Sequence, residues 1–145
     1  RRVDHVHADT MEMCQEIDQA LGQDICKNLF LCNRQKTKFY LLLMPGDKPF
    51  KTKDLSAQIG SSRLSFGGAE DMERLLNLTP GSVTVLGLMY DPDCQVTLLI
   101  DQDLYQQSAF GCHPCINTST VQFSTADFRE KLLPALGHPV TLVQL

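Results

Sequence analysis

Residues 28–47, NLFLCNRQKTKFYLLLMPGD, set two apolar, aromatic-rich runs on either side of a polar segment and close on Pro45-Gly46. Runs this short are far below the ~20 residues that a bilayer span requires. Bounded by polar and turn-forming residues, they predict two core strands joined by a hairpin. A chain built around such a pair needs other elements to pack on the resulting sheet.

The remaining segments supply them. Met11, Cys14, Ile17, Ala20 and Leu21 recur at helical spacing between a cap at Asp9 or Thr10 and Gly22, which predicts an amphipathic helix. Thr52 to Ile59 is expected to be a helix closed by Gly60, SRLSF a short strand, and GGAEDMERLLNL a helix with acids in its first turn. TPGSVTVLGLMYDPDCQVTLLI reads as a Gly-containing loop followed by two strands across the turn DPDC. Asp101 is placed to cap a short helix, Asp103 to Gln107. After the segment CHPC come a strand to about Phe123, a helix TADFREKLLPAL kinked or ended near Pro134, and a terminal strand VTLVQL. Strands and helices interleave, yet several strand pairs are joined by hairpins. The predicted class is therefore α/β, with a mixed sheet and helices packed on it.

At 145 residues and 43% hydrophobic content, one domain over residues 1–145 accounts for the chain, and a second full domain does not fit. Six cysteines are spread through a chain able to bury its own core, so no disulfide framework is required, and a reducing, cytoplasmic setting is expected. The opening RRVDHVHADTMEM does not start with Met and lacks the pattern of a secretory signal, so a processed or trimmed start is expected. No membrane association is expected. The net charge of −4 argues against a polyanionic partner, but its distribution does not. Between Lys27 and Arg63 lie eight basic residues against two acids, hence +6, whereas the remainder sums to −10. Such asymmetry permits one basic face that steers a polyanion, although lysines that merely solvate turns and a helix face give the same count.

Several patterns carry possible chemistry. Cys112 and Cys115 have the CxxC spacing of dithiol enzymes, but they fall late in the chain and precede INTSTVQF, a sequence suited to loop and strand rather than helix. A structural zinc would need Cys26 or Cys32 to join that pair and His113, and nothing in the spacing demands it. With sulfur set aside, the same loop holds His113 in extended geometry before Pro114 and offers a row of short polar side chains, Asn117, Thr118, Ser119 and Thr120. Lys27 heads an apolar strand and could point into a cleft, or could end the strand in solvent. Gly67-Gly68 precedes a helix, but Glu70 and Asp71 in its first turn would repel an anion, which makes the pair a structural turn. Gly81, by contrast, allows backbone amides of PGSVTVLG to turn toward a ligand. Asp91 to Asp93 reads as a hairpin turn. There is no nucleophile elbow, P-loop or dinucleotide fingerprint.

Taken in order, KNLFL, KFYLLLMPGDKPFKTKDLS, SRLSFGGAEDMERLL, LTPGSVTVLGLMYD and CHPCINTST resemble the YbaK/prolyl-tRNA synthetase-associated domain family, in its free-standing ProX/PrdX branch of trans-editing proteins. The resemblance covers nearly the whole chain. It implies an α/β domain with a mixed, barrel-like sheet flanked by helices, acting as a cytoplasmic deacylase on mischarged tRNA. The acyl group implied is alanine on tRNA for proline; a deacylase of the YbaK type acting on cysteine, and a non-catalytic module binding tRNA or the synthetase, are the alternatives. The partners implied are the tRNA acceptor end and prolyl-tRNA synthetase, with no DNA, no cofactor and no metal. The family's essential lysine aligns with Lys27, its neighbouring asparagine with Asn28, its His-Pro histidine with His113, and the following asparagine with Asn117. Its GxxxP loop corresponds to Gly81, Ser82, Val83, Thr84 and Val85, where Val85 replaces the proline. Lys27 and His113 are thus expected at the catalytic centre, with Asn28, the loop amides of Gly81 to Thr84, and Asn117 binding substrate. Val83, Val85 and Leu29 are expected as pocket walls, and Lys48, Lys51 and Lys53 as contacts to the acceptor stem.

Overall fold

The computed structural model describes residues 2–4, 26–107, 109–112, 114–115 and 118–145. The helix expected between Asp9 and Gly22 lies outside them.

The hairpin forms as its sequence dictates. Strands β2 (Lys27–Cys32) and β3 (Phe39–Met44) pair antiparallel in unbroken register from Lys27↔Met44 to Cys32↔Phe39. Asn33 closes the turn: its Oδ1 accepts from the Thr37 and Lys38 amides at 2.8 and 3.1 Å. On one side β2 pairs with β4 (Ser65–Phe66); on the other, β3 runs parallel to β5 (Val96–Asp101), and β5 to β8 (Val140–Val143). The result is a mixed five-stranded sheet, β4-β2-β3-β5-β8. Three further strands, β1 (Arg2–Asp4), β6 (Ala109–Cys112) and β7 (Ser119–Ser124), form a second, antiparallel sheet in the order β1-β7-β6. The Cys26 amide donates to the Gly111 carbonyl at 3.3 Å and links the two sheets. The expected mixed sheet with flanking helices is present; its barrel-like character goes no further than this, since the barrel is not closed.

Strand alternation divides the core in two. Phe30, Cys32, Phe39, Leu41 and Leu43 pack on one face with Leu76, Leu88 and Phe128, while Leu31, Tyr40, Leu42 and Met44 pack on the other with Leu55 and Leu64. Helix α1 (Thr52–Ile59) and helix α2 (Ala69–Leu76) contribute Leu55 and Leu76 to these faces, and both end in left-handed caps, Gly60 and Asn77. Asp101 caps α3 (Gln102–Gln106), its Oδ1 accepting from the Asp103 amide at 2.8 Å. The Gly67-Gly68 turn is structural, as its flanking acids imply: a Cβ on Gly67 would lie 2.2 Å from the Phe30 ring.

One expectation is corrected. The first strand expected before DPDC is instead a 3₁₀ helix, Val85–Tyr90. Thr84 caps it through a bond from the Leu86 amide, and a three-residue period puts Val85 and Leu88 together in the core. Gly87 lets this helix approach closely, because a Cβ there would meet Leu78 at 2.6 Å. The DPDC turn itself is present, stapled by Asp91, which accepts from the Gln95 and Val96 amides. The helix expected to kink or end near Pro134 does end there, at Leu136. It runs as α4 (Thr125–Asp127), a π-helical turn Phe128–Leu132, and α5 (Leu133–Leu136). A wider turn ahead of the proline accommodates a ring that would otherwise clash with the preceding carbonyl and lacks an N–H. Strands β1 and β6 were not foreseen; RVD and AFGC are too short and mixed to stand out.

Candidate active site

Three segments converge where the two sheets join: the start of β2, the end of β6, and the turn before the 3₁₀ helix. Cys26 is the strut between the first two. Its thiol donates to the Gly111 carbonyl at 3.3 Å, parallel to its amide. Asn28 then donates from Nδ2 to both the carbonyl and the Sγ of Cys26, each at 3.3 Å, while its buried Oδ1 has no hydrogen-bond partner among the described residues. Next along β6, the Cys112 thiol is buried against the Thr84 side chain; burial raises the thiol pKa and Thr84 lowers it.

That turn places Gly81 at φ +89°, a conformation that L side chains rarely adopt. The Ser82 amide is engaged by the Thr79 carbonyl at 3.1 Å, whereas the Val83 and Thr84 amides have no acceptor among the described residues. The Ser82 and Thr84 side chains are buried, so polar contact from this turn to a ligand comes from its backbone. Val85 is fully buried in the core and is not a pocket wall; Val83 is half-buried.

Lys27 points differently. Alternation sends Lys27 and Leu29 to the face opposite Asn28, and Leu29 packs with the second core rather than beside Val83. The half-buried Lys27 amine donates to the Lys48 carbonyl at 2.7 Å, leaving two of its three protons for another acceptor. Lys48 is itself held: its amine lies 2.9 Å from the fully buried Asp101 carboxylate and 2.7 Å from Asp103. Desolvation pulls this lysine's pKa down, but the hydrogen bonds and charges of Asp103 and Asp101 outweigh it and raise the value above that of an ordinary lysine. Lys48 is therefore not free to meet a nucleic acid, contrary to the expectation; Lys51 and Lys53 are exposed. Asp101, foreseen only as a cap, thus indirectly anchors the loop that receives Lys27. His113 and Asn117 lie outside the described residues.

The thiols do not favour redox chemistry. Burial pushes Cys112 up to about 12, with Cys115 adding to the rise and the Thr84 side chain opposing it. Burial, and secondarily Cys112, raises Cys26 further, and burial also raises Cys115. Thiols held protonated are poor nucleophiles. Among the described residues, no three His, Cys, Asp or Glu side chains come together in a way that could hold a metal ion, and no helix is long and apolar enough to cross a membrane.

A mixed sheet of this topology, meeting a smaller antiparallel sheet at a polar site, is an α/β domain. The family described as the aminoacyl-tRNA editing domain matches residues 5–131, and the chain belongs to it. Among its relatives, the prolyl-tRNA editing protein ProX of Acetoanaerobium sticklandii is 32% identical over 99% of this chain and 87% of its own. The prolyl-tRNA synthetase associated domain-containing protein 1 of Danio rerio is 28% identical over 97% of this chain and 77% of its own. The fold is also that of a solved structure described as a candidate trans-editing enzyme for prolyl tRNA synthetase, with a TM-score of 0.70 and 18% identity over 100% of this chain and 86% of that one.

Proposed function

We propose that this chain is an aminoacyl-tRNA deacylase that clears mischarged tRNA for proline in trans, with alanine as the acyl group removed. Water adds to the ester carbonyl carbon, the bond to the terminal ribose oxygen breaks, and free amino acid and intact tRNA leave. An aminoacyl ester is already labile, so the chain needs to hold it, orient the water and stabilise the oxyanion.

The observation that carries this reading is Asn28. An amide whose Nδ2 is fixed on Cys26 buries an Oδ1 that has no partner among the described residues, and it sits where β2, β6 and the Gly81–Val85 turn meet. An unpaired buried acceptor is costly unless a ligand donor completes it, and the α-amino group or ribose hydroxyl of an aminoacyl-adenosine is such a donor. The Val83 and Thr84 amides are suited to the developing oxyanion; Lys27, half-buried at the strand end on the other face of β2, is assigned to the catalytic centre by the family resemblance. In this reading His113 completes the catalytic centre and Asn117 binds substrate, as the family resemblance implies. Selection by size is consistent with the chemistry, since one methylene in an apolar pocket is worth only ~1 to 3 kcal/mol and a synthetase cannot exclude alanine by affinity alone. The names of the relatives support tRNA for proline, and the synthetase as a further partner. The whole chain, residues 1–145, would act as one editing domain in the cytoplasm.

The test is incubation with Ala-tRNA for proline, alongside Cys- and Ser-charged forms. The wild type should release alanine preferentially and the Lys27→Ala variant should not. No release above buffer by the wild type would leave a binding module in its place; faster release of cysteine would reassign the acyl group.

A further inference from the structure

At the β4 edge of the sheet, on the face of β2 that carries Lys27, the structure leaves a large aromatic ring in solvent. Phe66, on the two-residue edge strand β4, is 63% exposed, the highest figure for any large apolar side chain among the described residues. It lines a cavity of about 600 Å³ together with Arg34, Thr52, Arg63, Leu64 and Ser65. Neither Arg34 nor Arg63 is in an ion pair among the described residues, and both are exposed. Lys51 and Lys53 flank Thr52 at the start of α1; Asp54 is the acid in that turn.

An exposed phenyl ring sharing one cavity with two arginines is poorly explained by folding, because Phe66 loses apolar burial there and the arginines gain no ion-pair partner among the described residues. The same arrangement is what a single-stranded nucleic acid needs: a π-face on which a base stacks and cations that track its phosphates. The placement also fits. Phe66 pairs opposite Leu31, four residues along β2 from Lys27, which is about 13 Å at ~3.3 Å per residue. Four nucleotides stacked at roughly 3.4 Å cover that distance. Phe50 lies beside Phe66, the two rings 6.3 Å apart in an edge-on arrangement, and is two residues beyond the Lys48 carbonyl that receives Lys27.

We infer that the Phe66–Arg34–Arg63 groove is a seat for the unpaired 3′ segment of the RNA substrate, with a base stacked on Phe66 and phosphates on the two arginines. The inference rests on the reading of this chain as one that acts on tRNA, but its test needs no hydrolysis. The probe is an uncharged, fluorescein-labelled RNA hairpin with a four-nucleotide 3′ overhang, compared with its blunt-ended form by fluorescence anisotropy. The wild type should bind the overhang form on the order of ten-fold more tightly. Phe66→Ala should lose about that factor, and Phe66→Tyr, which keeps a stacking face, should restore it. Arg34→Gln with Arg63→Gln should lower the slope of log K against log salt by about 1.4, two phosphates at roughly 0.7 each. Thermal melts should be unchanged, because these side chains are exposed.

Equal binding of the two hairpins, or unchanged binding by Phe66→Ala, overturns the proposal. So does displacement of the hairpin by a decaglutamate peptide at equal concentration, which would point to an acidic protein partner. If the wild type hydrolyses Ala-tRNA while Phe66→Ala binds normally, only the groove assignment fails. Overhang-dependent binding without any ester hydrolysis sinks the deacylase reading and leaves the groove.

Discussion

Adjacent residues at the head of β2 do different work because a strand turns successive side chains to opposite faces. Lys27 and Asn28 were read together from the sequence as one site, yet Asn28 is drawn into the Cys26–Gly111 junction and Lys27 onto the Lys48 carbonyl. Lys27→Ala removes one hydrogen bond from a half-buried amine. The expected outcome is a melting temperature within a few degrees of wild type and a fall in deacylation of about 100-fold or more, measured by alanine release. Asn28→Ala removes an unsatisfied buried acceptor along with two weak donor contacts, so its effects on stability offset to within about 1 kcal/mol in urea titration. Its substrate KM should nevertheless rise several-fold. A large loss of stability would instead make Asn28 a structural strut. Lys48 illustrates what a residue list misses: its charge counted toward a basic face, but two carboxylates consume it.

Among the elements, those whose pattern is local were legible. The hairpin, the helix Thr52–Ile59 and the cap at Asp101 follow from apolar runs, Gly60 and a short acidic side chain, each acting within a few residues. The segment Val85–Tyr90 was misread because its apolar residues satisfy a strand or a short helix equally, and only the packing of Gly87 against Leu78 decides. Val85 itself, standing where the family has proline, begins this helix, a position that tolerates proline. Val85→Pro should therefore fold, with a change in unfolding free energy under about 2 kcal/mol. His138 joins the end of the last helix to the DPDC turn, its Nε2 3.1 Å from Asp91 Oδ2 and its Nδ1 3.0 Å from the Leu136 carbonyl. Both partners are buried, so His138→Ala removes one of the three hydrogen bonds to the Asp91 carboxylate, leaving those from the Gln95 and Val96 amides, and should cost about 1 to 3 kcal/mol in chemical denaturation.

For the whole molecule, the buried thiols at the junction of the sheets set a limit at alkaline pH. Below the ordinary thiol value of 9.0, Cys112 is protonated in the folded and unfolded chain alike, and stability is independent of its titration. Between that value and about 12 the unfolded chain releases the proton while the folded one retains it, so stability falls as pH rises. Cys26, raised in the same direction, adds to the slope. Denaturation midpoints should be level up to about pH 9 and then decline, by roughly 1 kcal/mol per pH unit per thiol, and Cys112→Ser should flatten the decline. An unchanged slope in that variant would remove Cys112 from the account. What the sequence by itself determined was whatever depends on near neighbours: the strand pair, most helices, the α/β class, and a set of residues whose order matches an editing family. What only the tertiary structure decided was which of those residues meet. Cys26 reaches Gly111 across 85 positions, Lys48 reaches Asp101 across 53, and Phe66 is left in solvent beside two arginines. Such contacts depend on strand register and chain crossing, which no local pattern encodes.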